Sequence, residues 1–349
     1  MTNIHRGSSL PAGEPQQRRS PKWAKRFWVI VKASPLVFAL IICVVVWMCR
    51  QPPDAVRARW LIQHGYSEVP FQVSKGVHFD IMACGNGKPL RLLIDTGAEF
   101  NLIDAGVPKR LDLLPEPIKE FLVNVAGHGH TQTQGRLLVK DFTVGDLHGP
   151  WQALVVDHSH LNKEERFGEA PRDGLLGSPY LTHNAAVIDC GSKKLFLWNR
   201  IQHSSRGNEV SNRGTDPFST LLKRQGYLEV PLPYTEWTRP YVPATINGEP
   251  LLLDVDTGSS VNALTAFFAE RLHLPMYYTA HGSHKTHAEA FSVGGHSEAM
   301  EALLVDSGRL KAVDKSGEHT VDGILGAGFL LDHAAVIDCG SKKLYLLAH

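Results

Sequence analysis

The sequence predicts an all-β protein with two lobes built from one repeated module. "NGKPLRLLIDTG" at 86–97 returns as "NGEPLLLDVDTG" at 247–258, and "DGLLGSPYLTHNAAVIDCGSKKLFL" at 173–197 returns as "DGILGAGFLLDHAAVIDCGSKKLYL" at 322–346. Repetition on this scale indicates one structural unit used twice. Each copy contains an Asn-Gly hairpin signal. The "AAVIDC" run is typical of a strand covered on both faces, and helical periodicity is otherwise scarce.

Composition fits this architecture and excludes one class of partner. The chain has 349 residues, enough for about two domains of ordinary size. Hydrophobic residues make up 43% and charged residues 20%, a globular balance. The formal net charge of +1 gives no bulk attraction to nucleic acid, so we expect no nucleic-acid partner.

The N-terminus differs from the rest of the chain. Residues 1–32 are basic, with a single acid, and residues 33–49, "ASPLVFALIICVVVWMC", are uncharged. We interpret 33–49 as a single transmembrane signal anchor and 1–32 as a cytoplasmic tail, because positive charge stays on the cytoplasmic side. A cleaved signal peptide and a buried core helix are the alternatives. The expected location is the inner (plasma) membrane, single-pass, with an extracytoplasmic body. The absence of Asn-x-Ser/Thr sequons favours a bacterial periplasm.

The repeat gives the module boundaries. The first module is predicted at 65–198 and the second at 226–347, and the polar Gly/Ser/Asn-rich segment 199–225 between them is typical of a linker. The offset between matching residues falls from 161 to 149 along the chain, so the second module lacks twelve residues that the first one has within 114–151.

One short helix is expected after each Asp-Thr-Gly. Thr265 is a suitable N-cap for "AFFAERLHL". Asp104 stands at the matching place before "AGVPKRLDL", where the helical pattern is weaker.

Two copies of an apolar strand ending in Asp-Thr-Gly, each followed about eighty residues later by "LLG" (175–177) or "ILG" (324–326), resemble the aspartic proteases of the retropepsin and pepsin clan. The resemblance covers nearly the whole body. It implies two retropepsin-like β-barrel lobes joined in one chain, a single-chain pseudo-dimer that needs no further oligomer. It also implies an aspartic endopeptidase that uses no metal or other cofactor.

The resemblance identifies Asp95 and Asp256 as the catalytic pair. Two carboxylates held a few ångströms apart share one proton, so one can activate water while the other protonates the substrate carbonyl. Sequence alone cannot assign the proton to either residue.

Four neighbouring residues are expected to support this pair. The resemblance implies that Thr96 and Thr257 hydrogen-bond across the lobe interface. Gly97 and Gly258 lack side chains where two backbones must approach closely.

The two copies differ beside the dyad. Ala98 follows the first motif and Ser259 the second, and a hydroxyl beside a carboxylate favours its ionised form, which predicts that Asp256 is the more acidic member. Retroviral relatives carry an acidic residue four positions after the aspartate. Glu99 fills this position in the first module and Ser260 in the second.

A second difference concerns the later glycine turns and the length of the first module. The arginine that relatives carry after the turn is replaced by Ser178 and Ala327, so the lobes must be braced differently. The longer first module predicts a flap hairpin within Gly127–Gly135. The residues expected to belong to this flap are Gly127, His128, Gly129 and His130.

Other recurrent residues are interpreted as structural. Asp173 and Asp322 are expected to stabilise turns rather than catalyse. Histidines at 128, 130, 281, 284 and 287 have no ligands at matching spacing, so no metal site is expected there. Three cysteines outside the anchor, Cys84, Cys190 and Cys339, cannot form a full disulfide framework.

The expected partner is a polypeptide substrate of the envelope or near the membrane. A non-catalytic module that binds a peptide or envelope partner is the alternative from another class. A homodimer that uses one module of each chain is the other alternative.

Overall fold

The structure, a computed structural model, describes Val37 and residues 52–119, 122–125, 129–157, 171–199, 216–234, 239–279, 282–306 and 321–348. Residues 53–349 form one compact unit. No helix within the described residues is long and apolar enough to span a membrane. The expected tail and anchor, 1–49, lie outside the described residues except for Val37.

The first lobe is a closed six-stranded barrel in the order β3-β4-β9-β5-β8-β7, closed by pairing of β7 with β3. Its members are β3 (Phe79–Gly85), β4 (Lys88–Asp95), β5 (Leu102–Asp104), β7 (Gly129–Val144), β8 (Leu147–Val156) and β9 (Gly174–Gly177). The short strands β2 (Gln72–Val73) and β6 (Leu122–Val125) extend the sheet from β3 and β7.

The second lobe repeats this barrel in the order β13-β14-β19-β15-β18-β17, closed by pairing of β13 with β17. Its members are β13 (Tyr241–Ile246), β14 (Glu249–Asp256), β15 (Ala263–Thr265), β17 (His284–Val293), β18 (His296–Val305) and β19 (Gly323–Gly326), with β16 (Met276–Tyr278) added to β17. The predicted all-β, two-lobed architecture is therefore confirmed.

A third sheet joins the lobes in the order β1-β11-β10-β20-β21-β12. Its members are β1 (Tyr66–Pro70), β10 (Val187–Asp189), β11 (Lys194–Trp198), β12 (Tyr227–Pro231), β20 (Val336–Asp338) and β21 (Lys343–Leu347). The two "AAVIDC" strands, β10 and β20, pair antiparallel at its centre with Ile188 opposite Ile337. Both isoleucines are fully buried, which explains why these strands are apolar on both faces.

Local sequence signals account for the turns and helix starts. Asn86-Gly87 and Asn247-Gly248 all have positive φ and connect β3 to β4 and β13 to β14, the type I′ geometry that Asn-Gly favours. The Thr265 hydroxyl accepts a hydrogen bond from the Phe268 amide at 3.2 Å and caps its helix, as predicted. The six described helices are α1 (Pro53–Gln63), α2 (Val107–Arg110), α3 (Ser178–His183), α4 (Pro217–Arg224), α5 (Ala266–Arg271) and α6 (Ala327–Asp332).

The helix α4 lies inside the segment interpreted from sequence as a linker. Asp216 caps it by accepting from the Phe218 amide at 3.0 Å, and Phe218 and Leu222 are buried in a cluster that also contains Leu61 of α1. Each lobe is thus preceded by a helix that packs on the joining sheet. The Arg57 guanidinium of α1 pairs with the buried Asp189 at 2.9 Å and anchors the first of these helices.

Candidate active site

The two Asp-Thr-Gly motifs begin where equivalent strands of the two barrels end. Asp95 is the last residue of β4 and Asp256 the last residue of β14. Each strand pairs in parallel with a glycine-flanked strand, so that Asp95 lies opposite Gly177 and Asp256 opposite Gly326. The loops that follow therefore leave the two barrels at equivalent points and meet at the interface between the lobes.

Two threonines join these loops by reciprocal hydrogen bonds. The Thr257 hydroxyl accepts from the Thr96 amide at 3.1 Å and donates to the Ile94 carbonyl at 2.7 Å. The Thr96 hydroxyl accepts from the Thr257 amide at 3.0 Å and donates to the Val255 carbonyl at 2.6 Å. Both threonine side chains are almost completely buried. Each hydroxyl uses its donor and an acceptor site, which fixes the relative position of the two loops.

The glycine of each motif lies against the aspartate of the other lobe. A Cβ atom at Gly97 would lie 2.5 Å from Asp256 Cγ, and one at Gly258 would lie 2.5 Å from Asp95 Cγ. Real carbon atoms do not approach this closely, so any side chain at either position would displace a carboxyl group. Glycine is required here by the close approach of the lobes.

The two carboxyl groups form one hydrogen-bonded pair. Burial, the charge of Asp256 and the hydrogen bond to Asp256 together raise the pKa of Asp95 well above its usual range. Hydrogen bonds from the amides of Ala98 and Gly97 oppose this shift. Asp256 accepts from the Gly258 amide at 2.8 Å. The direction of the shift favours the shared proton on Asp95, whose side chain remains partly exposed.

Ser259 does not act on Asp256 as predicted from the sequence. The Ser259 hydroxyl donates to the Val261 carbonyl at 2.8 Å, so its only hydrogen is directed away from Asp256. Serine hydroxyls commonly hydrogen-bond to nearby backbone carbonyls in this way. The raised pKa of Asp95 therefore has other causes, desolvation first and then the neighbouring Asp256 carboxyl.

An ion cluster beside the dyad braces the lobes in the absence of the family's arginine. Arg239, just before β13, contacts the Asp254 carboxylate through Nη2 and lies 3.8 Å from Glu99 Oε1 of the first lobe through Nη1. Burial raises the pKa of Asp254 to about 7, with Arg239 lowering it and Asp256 and Glu99 raising it. Burial also raises the pKa of Glu99, against the effect of Arg239.

A pair of asparagines not predicted from the sequence supports the loops. Asn101 Oδ1 accepts from the Gly177 amide at 2.9 Å, and Asn262 Oδ1 accepts from the Gly326 amide at 3.0 Å. Because these glycines lie opposite the two aspartates, each asparagine holds the backbone beside a carboxyl group. The available signal was their recurrence at an offset of 161, six positions after each aspartate.

The predicted flap region contains a hairpin. The strand β6 pairs with the start of β7, with Val125 opposite Gly129 and Asn124 opposite His130. Gly127 and His128 lie outside the described residues. The second lobe has the shorter pairing of β16 with β17 at the matching place. The closing of this hairpin over the cleft stays a prediction.

The recurrent aspartates before the glycine turns bind across the sheet instead of within their own turns. Asp173 Oδ2 accepts from the Arg91 amide at 2.9 Å and its Oδ1 pairs with Arg110 at 2.5 Å. Asp322 Oδ2 accepts from the Leu252 amide at 2.9 Å. Asp173 therefore holds β4, and Asp322 holds β14, four residues before the dyad aspartate of each strand. This role is structural. The three cysteines that the structure describes, Cys84, Cys190 and Cys339, are all free thiols.

Comparison with known proteins agrees with this geometry. A family model described as "Aspartyl protease" matches residues 81–180 and 242–329, together more than half of the chain. The two matched regions contain one Asp-Thr-Gly each. No curated protein matches the chain.

Proposed function

Because this chain belongs to the aspartyl protease family, we propose that it is an aspartic endopeptidase that hydrolyses peptide bonds with water activated between Asp95 and Asp256. One observation carries the proposal: the reciprocal threonine bonds and the two glycine contacts bring one carboxyl group from each lobe into a hydrogen-bonded pair. Such a pair supplies an acid and a base at one place, the arrangement for which aspartic proteases are the standard example.

The raised pKa of Asp95 gives the two carboxyl groups distinct tasks. Asp256 takes a proton from the water molecule while the water oxygen attacks the carbonyl carbon of the substrate. At the same time Asp95 gives its proton to the carbonyl oxygen. The resulting gem-diol returns a proton to Asp95 as the C–N bond breaks. The leaving nitrogen takes the other proton from Asp256, which restores the starting state.

The test is cleavage of a randomised peptide library by the full chain in detergent between pH 3.5 and 7.5. We expect Asp95→Asn and Asp256→Asn each to lower cleavage at least about 100-fold, the typical contribution of an acid or base. Asp112→Asn is the matched control, because the Asp112 side chain is 82% exposed. Loss with only one of the two dyad variants would mean that a single module works, as in the homodimer alternative. A wild-type chain that binds peptides without cleaving them would support the non-catalytic alternative.

We also propose that residues 33–49 anchor the chain in the inner membrane and that its substrates are envelope or membrane-proximal polypeptides. The uncharged run and the basic residues before it support this topology. The test is fractionation with an alkaline wash, followed by protease treatment of spheroplasts. Release of the chain by the wash, or protection of its body from the added protease, would contradict the topology.

A further inference from the structure

Three metal-ligating side chains converge on the second lobe, outside the dyad. The Nε2 atoms of His296 and His333 lie 2.9 Å apart. One oxygen of Glu298 lies 3.5 Å from His296 Nε2 and 3.4 Å from His333 Nε2. His296 and Glu298 are two residues apart on β18 and so point to the same face, while His333 directly follows α6. The ligand atoms all lie within 4.8 Å of one another.

The environment of His333 orients its Nε2 lone pair towards this cluster. His333 Nδ1 lies 2.9 Å from the Phe329 carbonyl oxygen. A carbonyl can only accept, so Nδ1 carries the hydrogen and, in the neutral ring, Nε2 keeps a lone pair. The ring is 3% exposed and stacks on Phe329 with centroids 4.1 Å apart. A histidine that donates its second nitrogen to a backbone carbonyl is the usual arrangement of a metal ligand.

We propose that His296, Glu298 and His333 bind a divalent transition-metal ion, zinc in particular. Zinc bonds of about 2.0–2.1 Å in a tetrahedral arrangement place neighbouring ligand atoms about 3.3 Å apart. The two nitrogen–oxygen distances already match this value, and the two nitrogens need to separate by about 0.4 Å. Two imidazoles and one carboxylate suit zinc and its neighbours, whereas magnesium and calcium prefer oxygen ligands.

Glu298, His333 and Asp332 also line an open cavity of about 370 Å³ beside the cluster. We expect a water molecule from this cavity to take the fourth coordination position of a tetrahedral site. The same cavity reaches Asn262, which holds the Gly326 amide beside Asp256. The metal therefore joins β18 to the end of α6 behind one of the dyad loops, and its binding does not depend on the proposed proteolysis.

The first lobe provides an internal comparison. At the offset of 149, His296, Glu298 and His333 correspond to Leu147, Gly149 and Asn184. The Asn184 side-chain amide donates to the Tyr180 carbonyl at 2.9 Å, the equivalent of the His333–Phe329 bond. Capping the helix therefore does not require histidine. At these three positions the second lobe has two imidazoles and a carboxylate, and the first lobe has none.

The experiment is titration of the untagged full chain, metal-free and in detergent, with Zn²⁺ by calorimetry and with Co²⁺ by visible absorption. We expect one tight Zn²⁺ per chain and tetrahedral Co²⁺ bands. His333→Asn copies the first lobe and keeps the helix cap, and we expect it to weaken Zn²⁺ binding at least about 100-fold.

Two further variants make the result decisive. Glu298→Gln changes a side chain that is 35% exposed, so it tests the site even if His333→Asn does not fold. His287→Gln is the control, because His287, whose Nε2 lies 3.4 Å from Glu289, belongs to no cluster of three metal-ligating side chains among the described residues. Thermal unfolding should shift upward with Zn²⁺ in the wild type and in His287→Gln, and not in the other two. Absence of stoichiometric binding by the wild type, or equal binding by Glu298→Gln and the wild type, would overturn the proposal and leave a metal-free histidine pair.

Discussion

Replacing Thr257 with valine tests whether the threonine bonds hold the two lobes together. Valine keeps the branched shape and removes the hydroxyl. The Ile94 carbonyl then loses its donor at 2.7 Å, and the Thr96 amide loses its acceptor at 3.1 Å. Ile94 is completely buried and Thr96 is 1% exposed, so water cannot replace either bond. At about 1–3 kcal/mol for each buried group left unsatisfied, we expect the free energy of unfolding to fall by about 2–6 kcal/mol.

Thr257→Ser is the matched control because it keeps both hydrogen bonds and removes only one methyl group. Its loss should be about 1 kcal/mol. The measurement is urea unfolding of the full chain, monitored by tryptophan fluorescence. The dependence of the unfolding free energy on urea concentration must be the same for all variants. Thr96→Val and Thr96→Ser should repeat the pattern, because the Thr96 hydroxyl makes the equivalent bonds. Equal unfolding free energies for the valine and serine variants would refute the reasoning.

Two further predictions concern the surroundings of the dyad. Gly97→Ala places a methyl group 2.5 Å from Asp256 Cγ and should abolish peptide cleavage. Gly149→Ala is the control and should leave cleavage unchanged, because the space around its Cβ position is open. Peptide-cleavage assays of both variants test this, and an active Gly97→Ala variant would contradict it. Asp254 has a pKa of about 7 in the fold against about 3.9 unfolded, so the folded chain holds the extra proton and loses stability as the pH rises between these values. Asp254→Asn removes this pH dependence. The unfolding free energy of the variant minus that of the wild type, measured by urea titration, should therefore rise by about 4 kcal/mol from pH 4 to pH 8. A difference that does not change with pH would contradict the raised pKa of Asp254.

Much of the fold was predictable because the module is repeated and because its turns and helix caps use residue types that favour those structures. The Asn-Gly hairpins and the Thr265 cap depend on residues within a few positions of each other, and the structure contains all three. Two equivalent Asp-Thr-Gly loops also had to be equivalent in space once the lobes paired. The helix α4 was missed because its polar and glycine-rich surroundings concealed an eight-residue amphipathic segment.

The remaining features depend on contacts between distant parts of the chain. Arg239 lies 140 positions from Glu99, and the equivalent residue of the first module is His78, so neither repetition nor spacing indicated the brace. His333 likewise lies 37 positions from His296, and only the packing of α6 against β18 brings them together. The role of Ser259 could not be predicted because its hydroxyl has more than one acceptor within a few residues, and it bonds to the Val261 carbonyl and not to Asp256.

The register at the centre of the joining sheet bears on which amino-acid substitutions the two lobes can accept independently. Val187 lies opposite Asp338 and Asp189 opposite Val336, so each lobe presents the same residues to the other. This is the isologous contact of a two-fold homodimer, contained within a single polypeptide. In a homodimer every substitution appears on both sides at once. Here each side can vary separately. Within the described residues, the Arg239–Asp254 ion pair and the His296–Glu298–His333 cluster belong to the second lobe, and the first lobe has different residues at the equivalent positions.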